Sequence, residues 1–345
     1  MSSSWSIYVQ ATVFDYSIEF YSLALNVPGV DDVFEIRGGR RGSIPVATPI
    51  KPANIPLFGV CAAVDNTVYY IGGNPVKQHS GCPRSLPSLF SFDTRSHSTK
   101  RSWKKRASMH NARLLPKTAV VDGKIYVMSG CSHDPQLATK WAEVFDPKSG
   151  KWSCIPPPSP LPEGYGLFAV ALPGLKKILV GSYENKVLHF FDTENGRWGQ
   201  VDQVIARRIP CSLKPVAVGT TLVWFGGCTL EGGCKIHAYD IIKKTFFVGT
   251  IWDLDKALPL ECLVGTEGNH GYPPLLHLSG NLFCLICVQD LPFAMQRISL
   301  LHCVTFCLSD LVLGAGRGFL KAAVRSSQAY VIKTPLRIRD AVVLR

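Results

Sequence analysis

One pattern occurs four times in this chain and constrains its fold more than any other feature. "VFDPKSGKW" (144–152), "FFDTENGRW" (190–198), "AYDIIKKTF" (238–246) and "SFDTRSHSTKRSW" (91–103) share it. Each runs through Asp and a polar tip to an aromatic residue, with the longest tip in the last. Their Asp residues, Asp93, Asp146, Asp192 and Asp240, recur about every 50 residues. A second element precedes each copy: "AVDNTVYYIGG" (63–73), "VVDGKIYVMSG" (120–130), "LPGLKKILVG" (172–181) and "AVGTTLVWFGG" (217–227). Each holds a turn, an apolar run and a terminal glycine. "LHLSGNLFCLICV" (276–288) reads as a fifth unit that has lost its glycine pair.

The physical chemistry of one unit predicts about four strands. Asn66 and Asp122-Gly123 suit a tight hairpin turn, which requires positive φ. The β-branched and aromatic runs after them suit strands. Gly72, Gly73, Gly130, Gly181, Gly226 and Gly227 end those strands, where no side chain fits or the backbone must turn. A polar loop follows, then the strand ending in Asp, a tight turn and the strand carrying the aromatic residue. Units of this length stack radially as propeller blades. The recurring Asp is expected to cap its turn through its own side chain. Trp103, Trp152 and Trp198 are expected to pack between blades.

These residues also carry a family resemblance. "AAVDNTVYYIGG", "FDTRSH", "AVVDGKIYVMSGC", "WAEVFDPKSGKW" and the connecting "ASMHNAR" (107–113) resemble the kelch-repeat part of plant F-box/kelch-repeat proteins. The resemblance is good over roughly 57–160 and weaker to about 290. The fold expected is an all-β kelch-type β-propeller of about six four-stranded blades, with five, seven or an incomplete ring left open. Residues 1–55 show no recognisable F-box and read as two strands of a partial first blade; 56–308 hold the kelch repeats. Residues 309–345 form a basic segment in which "QAYVIKTPL" (328–336) is the candidate closing strand.

Composition narrows the partner and compartment. The formal charge of +12 suits an acidic partner. The start "MSSSWSIYVQ" lacks a basic segment followed by an apolar one, so no secretory signal is expected. No apolar run reaches the roughly 18 residues of a membrane span. The twelve Cys are expected as free thiols in a reducing compartment, cytoplasmic and/or nuclear.

Several stretches invite a chemical reading. "CSHD" (131–134) lines up triad residue types, but adjacent residues cannot converge as a triad. "CTLEGGCKIH" (228–237) lacks a second ligand pair for zinc. "LVLGAGRGFLKAA" (311–323) misses the third glycine of a dinucleotide fingerprint. "KRSWKKR" (100–106) reads as a solvated hairpin tip and "RGGRRG" (37–42) as a loop. No catalytic residue, cofactor or metal ligand is assigned.

Function is then expected in the loops that do not repeat. The partner-facing candidates are Lys77, His79, Arg84, Arg113, His133, Tyr165, Tyr183 and Arg208, a basic and aromatic mixture that suits a protein-binding surface. The expected role is a protein-protein interaction module that binds an acidic or phosphorylated protein segment rather than nucleic acid. The resemblance implies substrate recognition in ubiquitin ligation, with a ligase scaffold engaged only if an F-box is supplied elsewhere. The alternative is a kelch-type propeller enzyme, a metal-dependent oxidase or a specifier-like protein. The E-x-x-x-D-x-x-x-H run of the specifier type does not occur.

Overall fold

The computed structural model describes residues 3–13, 18–27, 45–47, 49–50, 55–75, 85–95, 102–130, 141–162, 167–182, 184, 187–201, 214–228, 233–259, 262, 273–293, 296–314, 317–334 and 336–344. Its strands follow in chain order. β1 (Ser3–Val13), β2 (Ile18–Val27) and β3 (Pro49–Ile50) open the chain. β4 (Val60–Val64), β5 (Thr67–Ile71), β6 (Leu89–Asp93) and β7 (Lys104–Lys105) form one four-stranded sheet. β8 (Lys117–Val121), β9 (Lys124–Met128), β10 (Ala142–Asp146) and β11 (Lys151–Ile155) form the next. β12 (Leu167–Leu172), β13 (Lys177–Ser182), β14 (Leu188–Asp192) and β15 (Arg197–Gln200) repeat the plan.

Then come β16 (Val216–Val218), β17 (Thr221–Cys228), β18 (Cys234–Asp240) and β19 (Thr245–Trp252). β20 (Leu275–Ser279), β21 (Leu282–Phe293), β22 (Gln296–Gly314) and β23 (Arg317–Ile332) follow. These eight strands make a single sheet, which departs from the expectation of separate four-stranded units. The reason is that Phe246–Trp252 of β19 pair in parallel with Arg317–Ala323 of β23 and join two antiparallel runs edge to edge. Of the fingerprint-like glycines, Gly314 ends β22 and Gly318 lies in β23, so the described part of the stretch belongs to strands rather than to a helix.

The last strand, β24 (Leu336–Leu344), lies beside β1 in a sheet of order β24-β1-β2-β3. Val9 faces Ala341 and Ile7 faces Val343 in this antiparallel pair, so the two ends of the chain meet. The strand lies later than the sequence suggests, because residues 328–332 belong to β23. In β24 the exposed Arg337 and Arg339 alternate with half-buried Ile338 and buried Ala341, so one face of a basic stretch still reaches the core.

Among the described residues, six apolar clusters lie between neighbouring sheets. Phe145, Ile125 and Tyr69 join the sheets of β4–β7 and β8–β11. Ile178, Tyr126 and Trp141 join β8–β11 to β12–β15, and Leu179 and Trp224 carry the stack onward. Phe225 and Phe306 pack the two halves of the eight-stranded sheet on each other. Cys303 and Ile7, then Phe20 and Tyr70, join the sheet of the chain ends to both of its neighbours. The result is an all-β propeller. Its outer strands carry exposed residues, as at Lys104, Lys105 and Lys151, because they have a neighbour on one side only. "KRSWKKR" therefore supplies the outer strand β7 at Lys104–Lys105, rather than lying wholly in a hairpin tip.

Candidate functional site

The repeated residues hold the scaffold. The Oδ1 of Asp146 accepts the N–H of Lys148 at 2.8 Å, and that of Asp192 accepts Glu194 N–H at 3.0 Å. Asp240 accepts Ile242 and Lys243 N–H, each at 2.9 Å, and Asp93 accepts Arg95 N–H at 3.0 Å. All four carboxylates cap turns as expected.

The backbone N–H of Lys148 holds the Asp146 carboxyl below its ordinary pKa. A depressed carboxyl pKa adds stability above the unfolded value and loses it as the pH falls through the folded value. Asp146→Asn is therefore expected to melt below the parent at neutral pH, and the gap to close below about pH 4. Thermal melts across that range check it.

The tryptophans pack toward the preceding sheet. Trp103 lies 4.8 Å from Phe20 between ring centroids, and Trp198 lies 6.0 Å from Trp141. Trp152 lies 5.0 Å from Phe145 and donates its indole N–H to Ala107 O at 2.8 Å. Gly73 shows why the glycines recur. Its φ is +101°, and a Cβ there would lie 2.4 Å from Leu57 O.

One polar cluster stands apart from this repeat chemistry. Glu143 sits in the middle of β10 with a fully buried side chain. Its Oε2 accepts the backbone N–H of His110 at 2.7 Å, and its Oε1 accepts that of Asn111 at 3.2 Å. Oε1 also accepts from the Arg113 guanidinium at 2.9 Å. Arg113 donates further to the carbonyls of Ser129 and Trp141, at 2.7 and 2.8 Å. Its own carbonyl accepts Gly73 N–H at 2.8 Å. The link between β7 and β8 is thus fixed by a buried ion pair that also supplies its backbone partners.

The exposed side of the cluster holds two further groups. His110 Nδ1 lies 2.8 Å from Glu143 Oε2. Cys154, which pairs with Glu143 across β10 and β11, places its Sγ 3.7 Å from the same nitrogen. A nucleophile-base-acid triad needs the two partners on opposite nitrogens of the ring. Here both approach Nδ1, so the three are not a triad. They are instead three metal-ligand types whose donor atoms all lie within 4.8 Å of one another.

Arg113 corrects the sequence reading. It was expected to face a partner, yet its side chain is fully buried against Glu143, because a charge that neutralises a buried carboxylate belongs inside. Lys77, His79, Arg84, His133, Tyr165, Tyr183 and Arg208 lie outside the described residues, as does "CSHD". The expectation of twelve free thiols is also corrected. Cys228 and Cys234 face each other across β17 and β18 and are joined by a disulfide. Neither is free for a metal, and His237 instead stacks on Trp224 at 5.8 Å.

His110, Glu143 and Cys154 were not singled out in the sequence. The available signal was Glu143 itself, an acid inside the apolar strand "AEVFD" with a basic residue in the preceding link.

The loops and links share one end of the sheets by parity. Within each run β4–β7, β8–β11, β12–β15 and β16–β19 the strands alternate in direction, so the second-to-third loop and the link to the next run leave from the same end. Direct contacts bear this out at one junction. Leu86, after the 76–84 loop, bridges Arg113 of the link, and Pro87 O accepts Met109 N–H at 2.8 Å.

The family model described as FKB95, Kelch-repeats domain, matches residues 37–237. The chain belongs to this family. The kelch match begins before β3 and ends within β18, so the strands closing the propeller lie outside it. Three F-box/kelch-repeat proteins of Arabidopsis thaliana are similar to the kelch chain. One is 28% identical over 210 residues, covering 58% of this chain and 51% of the relative. A second is 29% identical over 221 residues, covering 63% and 49%. A third is 34% identical over 155 residues, covering 41% and 35%. The kelch chain spans about half the length of the first two. Among its described residues, no helix is long and apolar enough to cross a membrane.

Proposed function

We propose that this kelch propeller is a protein-interaction module that recognises substrates for ubiquitin ligation. The observation that carries the reading is the division between repeating and non-repeating residues. The repeating Asp, Trp and Gly positions are engaged in turns, packing and close backbone approach. The strand ends that lead into the segments differing from sheet to sheet lie at one end of these sheets, which supports a binding role for those segments apart from the scaffold. The relatives' names, F-box/kelch-repeat protein, support the ligase context. On this reading the eight-stranded sheet counts as two blades and the propeller has six, completed by β24.

The proposed ligand is an acidic or phosphorylated protein segment. The loop "NPVKQHSGCPRSLPS" (74–88) carries Lys77, His79 and Arg84 and no acid, and "ARRIP" (206–210) adds Arg208. Arginine pairs well with carboxylate and phosphate because its planar fork donates two parallel hydrogen bonds. The cytoplasm and nucleus are the proposed compartments, supported by seven free thiols among the described residues against the single disulfide Cys228–Cys234 described there.

The test is a peptide array with matched phosphorylated, acidic and neutral members, probed with the purified chain at two salt concentrations. Retention of acidic or phosphorylated members that weakens at high salt is expected. Equal retention of neutral members would remove the electrostatic reading.

A further inference from the structure

We propose that His110, Cys154 and Glu143 form a binding site for one thiophilic divalent metal ion of the zinc type, at the outer edge of the sheet formed by β8–β11. The donors come from three different segments: the link before β8, the outer strand β11 and the strand β10. Each is a preferred zinc ligand type, and their atoms already converge within 4.8 Å.

The sulfur–nitrogen edge already fits a tetrahedral ion. With metal–sulfur and metal–nitrogen bonds of about 2.3 and 2.0–2.1 Å, a tetrahedral S–N edge is roughly 3.6 Å. Cys154 Sγ and His110 Nδ1 are 3.7 Å apart. A nitrogen–oxygen edge would be roughly 3.3 Å on the same basis, and the Nδ1–Oε2 distance of 2.8 Å must widen to reach it. The adjustment falls to His110, whose ring is 47% exposed, whereas Glu143 is locked by Arg113 and two backbone N–H groups.

The locked carboxylate makes this arrangement more than a chance surface cluster. Glu143 Oε2 keeps the His110 backbone N–H on one lone pair and offers the other to the ion. Cys154 is exposed, so an ion reaches it from solvent and a water completes the fourth position. Binding replaces the thiol proton of Cys154, which leaves to solvent. The His110 proton then resides on Nε2, freeing Nδ1 to coordinate. The ion would tie the link 106–116 to β11, adding a closure that the buried ion pair makes only to β10.

Cobalt(II) titration of the reduced, metal-free full chain tests the site, because thiolate ligation gives cobalt a charge-transfer absorption. One equivalent is expected to bind with that band, zinc is expected to displace it, and zinc is expected to raise the melting temperature. Cys154→Ser and His110→Ala should each abolish the band. Both replace exposed or half-exposed side chains, so unchanged near-ultraviolet circular dichroism should confirm folding. The proposal is overturned if the wild-type chain shows no thiolate band, or if the band survives in Cys154→Ser and so arises from another cysteine. Neither outcome bears on peptide recognition by the loops.

Discussion

Glu143→Gln is expected to destabilise the protein by about 3–5 kcal/mol, the usual cost of breaking a buried ion pair from one side. The amide keeps the shape of the side chain but leaves the fully buried Arg113 without its counter-charge. Its NH2 also cannot accept one of the two backbone N–H groups that Oε2 and Oε1 accept at 2.7 and 3.2 Å. Arg113→Met should cost less, since the carboxylate keeps those N–H partners. The double variant should cost clearly less than the two single changes together, because each single change leaves a partner stranded. Denaturant unfolding measures all three. An unchanged midpoint for Glu143→Gln would contradict the assignment of this pair as the clamp on the link between β7 and β8.

Ending the chain before β24 is the second change with a large expected effect. β1 would lose its partner from Ser6 to Val13, leaving an unpaired edge in what had been an interior position of its sheet. Ala341, Ile338 and Val343 would leave one apolar cluster, and Leu344 and Val342 another. A folded domain is stable by only about 5–15 kcal/mol, so losing the packing on both sides of one sheet should abolish cooperative unfolding. A synthetic peptide of residues 336–345 should restore a cooperative transition by filling the gap in trans. A truncated chain that melts like its parent would show that the ends do not close the propeller.

The repeat was legible because each mark answers a local demand. Asp146 must cap its own turn, Gly73 must adopt positive φ, and Trp152 must cover the neighbouring sheet. Such demands recur wherever the local geometry recurs, so they leave a period in the sequence. The parallel pairing of β19 with β23 left no such trace, because it joins residues about 70 positions apart through backbone bonds that any side chain allows. β24 is hard to place from sequence because Arg337 and Arg339 give it a basic character, although Ile338 and Ala341 pack inward. The sequence alone points Arg113 outward, because a charge in a link is usually solvated. Its true position depends on Glu143, 30 residues away, and only the folded structure brings the two together. Cys154 and His110 share that difficulty, since their proximity follows from the strand register and the clamped link.

The proposed function puts the scaffold in the repeating residues and partner binding in the non-repeating loops. It is tested most directly by charge reversal of Lys77, Arg84 and Arg208 together, reading affinity for an acidic or phosphorylated peptide and melting temperature on the same sample. The melting temperature is expected to equal the parent's, with a loss of affinity of roughly tenfold or more. A triple variant that binds the peptide as tightly as the parent, or that melts as low as Glu143→Gln, would contradict it.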